Sequence, residues 1–235
     1  MNKKNFIIST DMSEFSNVKN KPTGFSLIEL MIAMAVGLVL LAAVYSVFNL
    51  QNKELNKQEQ IAVMQDDAKM AMEMMTREIM MAGYGVTSTL PRCVGSTTAT
   101  NSPCVGITAA NANSISFTMD VTDDSDTGVP DGDRDDTNEN ITYNLYTTSD
   151  GVPALGRKSK TTQINQQPVV ENVSALAFTY MPATGTTATT DLSLIRRVQI
   201  SITTRTANVD PSTGNYRTFT LTSIVTPRNL GISGF

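Results

Sequence analysis

Near its start, the chain contains one long apolar stretch. Residues 25–50 contain a single charged side chain, Glu29. A helix rises about 1.5 Å per residue and a bilayer core is about 30 Å thick, so this stretch is long enough to span a membrane. A charge in lipid costs at least about 2.5 kcal/mol. Glu29 is therefore either a functional residue or a tolerated polar residue at the end of a plain anchor.

Beyond Leu50 the pattern stays helical and becomes amphipathic. The apolar stripe has three- and four-residue spacing and consists of Ile61, Met64, Ala68, Ala71, Met72, Met75, Ile79 and Ala82. The charged residues assigned to the opposite face are Asp66, Lys69, Glu73, Arg77 and Glu78. Gly83-Tyr84-Gly85 is a helix-end signal. We predict one helix from Ser26 to Ala82, whose methionine-rich stripe packs on a sheet rather than forming a binding groove.

From Val86 onward the pattern changes to short alternating segments. The predicted strands are Ser114–Met119, Ile141–Tyr146, Ser174–Tyr180, Leu194–Arg205 and Arg217–Val225. The turn cluster at residues 210–214 makes the last two strands an antiparallel hairpin. The apolar face of such a sheet needs cover, and the helical stripe is its partner. The expected fold class is α+β, with a long N-terminal helix packed on an antiparallel β-sheet.

The composition excludes several classes of function. The 235 residues include 18 Lys and Arg against 22 Asp and Glu, which gives a net charge of −4 and no basic excess for nucleic acid. There is no histidine, so the commonest general base and the commonest metal ligand are both missing. No Gly-rich phosphate loop follows a predicted strand. We therefore expect no enzyme activity.

The segment Gly24-Phe25-Ser26-Leu27-Ile28-Glu29 resembles the processing site of type IV prepilins, a G-F-x-x-x-E pattern that opens an apolar helix. The resemblance implies that prepilin peptidase cleaves between Gly24 and Phe25 and methylates the new amine of Phe25. It also implies a role for Glu29 in assembly. Because a buried carboxylate needs a partner, Glu29 would pair with the N-terminal amine of a neighbouring subunit.

Two further parts of the chain resemble PilW-type minor pilins. They are the helix end, Asp67–Tyr84, and a C-terminal block made of Val169–Tyr180, Ile195–Thr206 and Pro227–Leu230. This resemblance implies the pilin fold and a minor pilin that acts in pilus assembly or priming near the filament tip. Two alternatives stay open: a minor pseudopilin of type II secretion, and a membrane-anchored adhesive or ligand-binding surface module.

The resemblance implies four parts in chain order. They are a cytoplasmic leader at 1–24, a membrane or filament-core half-helix at 25–50, an amphipathic half-helix at 51–83 and a globular β domain at 84–235. The implied location is the bacterial inner membrane, with the N-terminus cytoplasmic and the C-terminal domain periplasmic, followed by the pilus. The implied partners are other pilin and minor pilin subunits, prepilin peptidase, the inner-membrane assembly platform and, before assembly, the lipid bilayer.

The two cysteines, Cys93 and Cys104, are separated by ten residues rich in Ser, Thr, Gly and Pro. In an oxidising compartment they would close a small surface loop as a disulfide, worth on the order of 3 kcal/mol in the chain-entropy model. Two free thiols are the alternative. The spacing and the absence of other soft ligands argue against a metal pair.

The window from Asp120 to Glu139 holds nine acids against one base, Arg134. Its alternating carboxylates resemble a calcium loop, because Ca²⁺ takes six to eight oxygen ligands. The candidate ligands are Asp131, Asp133, Asp135 and Glu139. The window departs from an EF-hand loop, with Asp136 at the turn-glycine position and Thr142 at the bidentate-Glu position. A calcium site and a solvated acidic loop are both open.

Overall fold

The computed structural model describes residues 24–85, 104–123, 128–134, 136–159 and 165–230. Helix α1 spans Leu27–Met81. The strands are β1 Gly106–Ala110, β2 Ser114–Thr118, β3 Asn140–Thr147, β4 Pro153–Lys158, β5 Gln167–Glu171, β6 Val173–Met181, β7 Arg197–Arg205 and β8 Thr218–Val225. The chain divides into two compact units, Met1–Asn52 and Lys53–Phe235.

The part of α1 in the first unit is apolar and uncovered. Its large apolar side chains are exposed, from Leu27 to Phe48 and Leu50, and so is Phe25 just before the helix. The most apolar window of the helix has none of its residues buried within the structure, and it is long and apolar enough to cross a membrane. Apolar surface of this extent is unfavourable in water, so these residues are suited to a lipid or protein environment.

The part of α1 in the second unit carries the predicted apolar stripe. The buried helix residues are Met64, Ala68, Ala71, Met72, Met75 and Ile79, and Ala82 just beyond the helix is also buried. Ile61 is half-buried, and the charged residues Asp66, Lys69, Glu73 and Arg77 are exposed. The predicted helix and its stripe are therefore confirmed, with bounds one residue inside the predicted ones at each end.

Glu78 does not lie on the solvent face, and that prediction was wrong. Its carboxylate accepts a hydrogen bond of 2.5 Å from the hydroxyl of Tyr143 and forms an ion pair of 2.9 Å with the guanidinium of Arg157. Burial, and then the charge of Glu78, raise the pKa of Tyr143, so this residue stays a hydrogen-bond donor. The error arose because both partners are strand residues remote in sequence, which helical periodicity cannot reveal.

The strands form two antiparallel sheets, where the sequence had suggested one. The first has the order β1-β2-β3-β4-β5 and the second the order β6-β7-β8. The five predicted strands correspond to β2, β3, β6, β7 and β8, and the predicted hairpin is the β7–β8 pair, with Arg205 opposite Thr218. The sequence analysis missed β1, β4 and β5. Their sequences, GITAA, PALGRK and QPVVE, are short, contain Gly or Pro and show little alternation.

The core lies where the sheets meet each other and α1. Val198, Ile200 and Ile202 alternate along β7 on its buried face, and they join the helical stripe in one hydrophobic cluster. The two sheets are linked through β6, because the Phe178 N–H donates to the Ala112 carbonyl at 2.7 Å. The hydroxyl of Tyr180 lies 2.9 Å from the Ser114 carbonyl. These antiparallel sheets packed against a long helix confirm the α+β fold class of the pilin type.

The end of α1 depends on two glycines with positive φ. Gly83 has φ +81° and donates its N–H to the Thr118 carbonyl at 3.0 Å, which ties the helix end to β2. Gly85 has φ +80°, and a Cβ there would lie 2.5 Å from the Cβ of Asp120. Only glycine fits this position, since left-handed backbone and close approach coincide. The predicted end signal is confirmed.

We expect Gly85→Ala to destabilise the fragment 53–235, which contains the whole described core, by about 2 to 4 kcal/mol. Strain at positive φ and the collision with Asp120 both contribute. Gly214→Ala is the matched control, because Gly214 also has positive φ (+69°) but a Cβ there meets no atom within 4 Å. The control should lose only about 1 kcal/mol. Urea unfolding measures both, and equal losses would show that the contact with Asp120 is unimportant.

We expect Glu78→Ala to lower the free energy of unfolding of the same fragment by about 2 to 4 kcal/mol, because Arg157 is left without its partner in a mostly buried position. The control is Glu73→Ala, whose ion pair with Arg77 is exposed; it should change stability by less than about 0.5 kcal/mol. Denaturant titration compares the two. If Glu78→Ala lowered the free energy of unfolding as little as the control does, the structural role of this contact would be contradicted.

Candidate functional site

The predicted assembly residue Glu29 lies in the first turn of α1, and the predicted processing residues lie just before that turn. Ser26 precedes the helix, and its carbonyl accepts the N–H of Leu30 at 3.2 Å. The Ser26 N–H donates to Glu29 Oε2 at 2.9 Å. This is the Glu half of a capping box, in which an N3 carboxylate satisfies an N–H left over at the helix start. The positive end of the helix dipole also favours a negative charge at this position.

The sequence analysis did not find this capping role of Glu29. The signal was present, because Ser26-Leu27-Ile28-Glu29 has the S-x-x-E spacing of a capping box. The role has a consequence for function. Oε2 is engaged by the chain's own backbone, and the carboxylate has a second oxygen through which it can bind another donor at the same end of the helix.

The predicted cleavage junction lies just outside the helix. Gly24 and Phe25 are both exposed and neither belongs to a helix or strand. A Cβ built on Gly24 would meet no atom of the described chain within 4 Å. Within the described residues, Gly24 therefore has room for a larger side chain.

The acidic window is organised by two buried carboxylates. Asp120 and Glu139 are 1% and 0% exposed. The carboxylate of Asp120 accepts the N–H groups of Asp131 and Gly132 at 3.2 and 3.1 Å. Burial raises the pKa of both acids, and the N–H groups that each accepts oppose the rise. These two acids thus hold the loop together from inside, as carboxylates bonded to backbone donors.

Both oxygens of Glu139 are used in this way. Oε1 accepts the N–H of Val121 at 2.8 Å and of Thr122 at 3.1 Å, while Oε2 accepts the N–H of Asp136 at 3.3 Å. The structure thus places the predicted ligand Glu139 in the base of the loop, in a role that spacing alone did not suggest.

Three other acids come together in the loop. One carboxylate oxygen each of Asp131, Asp133 and Asp136 lies within 4.8 Å of the others, with Asp131 and Asp133 exposed. Asp136 was not among the predicted ligands, and the predicted ligand Asp135 lies outside the described residues. Oxygen donors in this arrangement are compatible with a hard cation. Calcium binding stays a prediction.

Cys104 is buried at the edge of the first sheet, next to the acidic window. Its carbonyl accepts hydrogen bonds from the Thr118 hydroxyl at 2.7 Å and from the Arg134 guanidinium at 3.1 Å. Cys93 lies outside the described residues. The disulfide between Cys93 and Cys104 stays a prediction, and the contacts of Cys104 give its end of that loop a fixed position.

Asp210 is the centre of a cluster that links α1 to the turn between β7 and β8. Its carboxylate lies 2.7 Å from Arg217 and 3.6 Å from Lys57. The hydroxyl and the backbone N–H of Ser212 donate to it at 2.5 and 2.9 Å. The Ser212 donors, and then Arg217, hold the pKa of Asp210 well below its usual range. This cluster has a structural role in joining the helix to the hairpin.

The structure thus combines an uncovered apolar helix, a capped N-terminal junction and a globular β unit, which is the organisation of a membrane-anchored subunit. A family model of the prokaryotic N-terminal methylation motif matches residues 19–45, which include the Gly24–Phe25 junction and Glu29. No curated protein and no solved structure matches the chain.

The motif supports a type IV pilin or pseudopilin subunit, which is a structural role rather than an enzymatic one. It implies processing by prepilin peptidase and assembly with other pilins. Together with the apolar helix, it supports membrane anchoring.

We expect the stabilising effect of Asp210 to disappear in acid. A carboxyl whose pKa is lower in the folded state than the unfolded value of about 3.9 stabilises the fold above that pH, and the effect is lost as the pH falls toward the folded value. Asp210→Asn should therefore lower the urea midpoint of the fragment 53–235 at pH 7, and the difference from wild type should shrink below about pH 4. The exposed Asp150 gives the control, Asp150→Asn, which should show neither effect. A difference independent of pH would contradict this role.

Proposed function

We propose that this chain is a minor type IV pilin of the PilW type, a structural subunit that acts in assembly or priming near the filament tip. In this function the apolar part of α1 resides in the inner membrane and then packs among like helices in the filament core. The observation that carries the proposal is Glu29, a lone carboxylate at the start of an uncovered apolar helix, inside a matched methylation motif.

The chemistry of assembly follows from the first turn of α1. Cleavage after Gly24 leaves an amine on Phe25, which is a cation when protonated. In lipid or in a filament core, the carboxylate of Glu29 is costly unless it is paired. Its Oε2 keeps the Ser26 N–H, and its other oxygen accepts from the Phe25 amine of a neighbouring subunit. A longitudinal shift of one subunit would break this pair, so the pair sets the register between neighbours.

The minor-pilin role rests on the PilW-like segments of the helix end and the late strands. These segments include parts of α1, β6 and β7, three of the elements that contribute residues to the core. A minor pseudopilin of type II secretion would use the same physics in a shorter filament, and the genes beside this one discriminate between the two.

The proposed orientation places residues 1–24 in the cytoplasm and the β unit in the periplasm. It rests on the motif, because Lys19 and Lys21 before the span are balanced by Lys53 and Lys57 after it.

The test compares wild type with Glu29→Gln and Glu29→Ala in cells that assemble the filament. Intact mass spectrometry of the membrane-purified chain should show loss of residues 1–24 and the gain of one methyl group for all three. Glutamine at N3 retains the acceptor of a capping box but has no charge. If Glu29 acts through an ion pair, both variants are processed and both are missing from sheared filaments.

Two results would count against the proposal. A full-length, unmethylated wild-type chain would overturn the pilin assignment and leave a plain membrane-anchored surface module. The second result is that Glu29→Gln is found in filaments at the wild-type level while Glu29→Ala is absent from them. Assembly would then need the helix cap that Glu29 forms and not its negative charge. A matched control is Glu54→Gln, which removes an exposed charge beyond the apolar stretch and should leave assembly unchanged.

A further inference from the structure

The second unit has an open cavity of about 670 Å³ that the proposed function does not use. It lies beside residues 147–150, which are the end of β3 and the start of the turn after it, and beside Asn165 and Gln166, which lead into β5. Tyr146, Lys158, Gln166 and Glu171 contribute to its wall. The volume is within the range of about 300 to 1,000 Å³ of sites for small ligands.

A glycine on β4 shapes the wall of this cavity. Gly156 pairs with Asn144 of β3 and Pro168 of β5, so it lies in the middle of three neighbouring strands. A Cβ at Gly156 would collide with Gln166 Oε1 and would lie 2.7 Å from the ring of Tyr146. The missing side chain therefore lets the Gln166 carboxamide and the Tyr146 ring rest directly on the strand, side by side.

Two amide oxygens at this place have no internal partner. Gln166 Oε1 and Asn144 Oδ1 are buried, and neither accepts a hydrogen bond from any residue that the structure describes. A buried polar atom without a partner costs about 1 to 3 kcal/mol, so such atoms are rare in folded proteins. Gln166 is part of the cavity wall, and a small rotation of its carboxamide would present it to a bound donor.

The chemistry of the wall indicates the class of ligand. The hydroxyl and amide groups come from Thr147, Thr148, Ser149, Asn165 and Gln166. Among the described residues of the wall, Asp150 and Glu171 add two carboxylates against one cation, Lys158, a balance that is unfavourable for phosphate, sulfate or another anion. Within the described part of the wall, Tyr146 supplies an aromatic ring and Pro168 an aliphatic surface. Mixed donors and acceptors around one ring suit a ligand with many hydroxyls and one apolar face.

We propose that this cavity binds a carbohydrate made of neutral or amino sugars. The ring of Tyr146 packs against the apolar face of one sugar, and Gln166 and the two carboxylates receive hydrogen bonds from its hydroxyl or amino groups. The site contains no residue of the N-terminal motif. It therefore gives the chain a binding function that does not depend on filament assembly.

The test uses the full chain, purified in an amine-oxide detergent, since detergents with sugar head groups would compete for the cavity. The probe is a printed array of defined neutral, amino and acidic oligosaccharides. Each bound oligosaccharide is then titrated against Tyr146→Ala, Tyr146→Phe and Gln166→Leu. Thermal unfolding of every variant checks that it is folded. We expect wild type to bind at least one neutral or amino oligosaccharide.

The variants separate the site from a general effect on folding. Tyr146→Ala and Gln166→Leu should weaken binding at least about tenfold, whereas Tyr146→Phe, which keeps the ring, should stay within about threefold. Glu29→Ala should bind like wild type, so failure of the filament proposal leaves this result intact. No bound oligosaccharide, binding of acidic oligosaccharides alone, or equal binding by folded Tyr146→Ala would each overturn the proposal.

Discussion

Burial of one face of α1 against two sheets is the interaction on which the globular unit depends. Met75 and Ile79 are fully buried, and they belong to the same cluster as Phe117 of the first sheet and Ile200 of the second. Each sheet has an apolar face that would be unstable in water alone. The helix covers both faces. The stability of the sheets therefore depends on the apolar stripe of the helix, and burial of that stripe depends on the sheets.

The same helix carries two kinds of surface along its length. Up to about Leu50 the apolar residues are uncovered on all sides, whereas from Met64 onward one face of the helix carries a stripe of buried apolar residues. A helix that is apolar all round is suited to lipid or to the core of an assembly, and a helix with one apolar stripe is suited to a sheet. The change in pattern therefore marks the change in environment, and the methylation motif lies at the apolar end.

Several charged groups have structural roles that cannot be predicted from their residue types. Glu78 binds Tyr143 and Arg157, Glu139 accepts three backbone N–H groups, and Asp210 joins α1 to the β7–β8 turn. The common reason is that a buried or half-buried carboxylate is stable only with donors around it. In the acidic window this separates acids that hold the loop from within, such as Glu139, from those that are exposed, such as Asp131.

The elements with a strong local signal could be predicted from the order of residues alone. These are the apolar stretch, the helical stripe, the five strands with clear alternation and the G-F-x-x-x-E junction, because periodicity and spacing are properties of neighbouring residues. The division into two sheets, the pairing of Glu78 with Arg157 and the cavity beside Gly156 were decided only by the tertiary structure. Each joins residues distant in sequence, and their contact depends on how strands pair and pack, which no local pattern encodes.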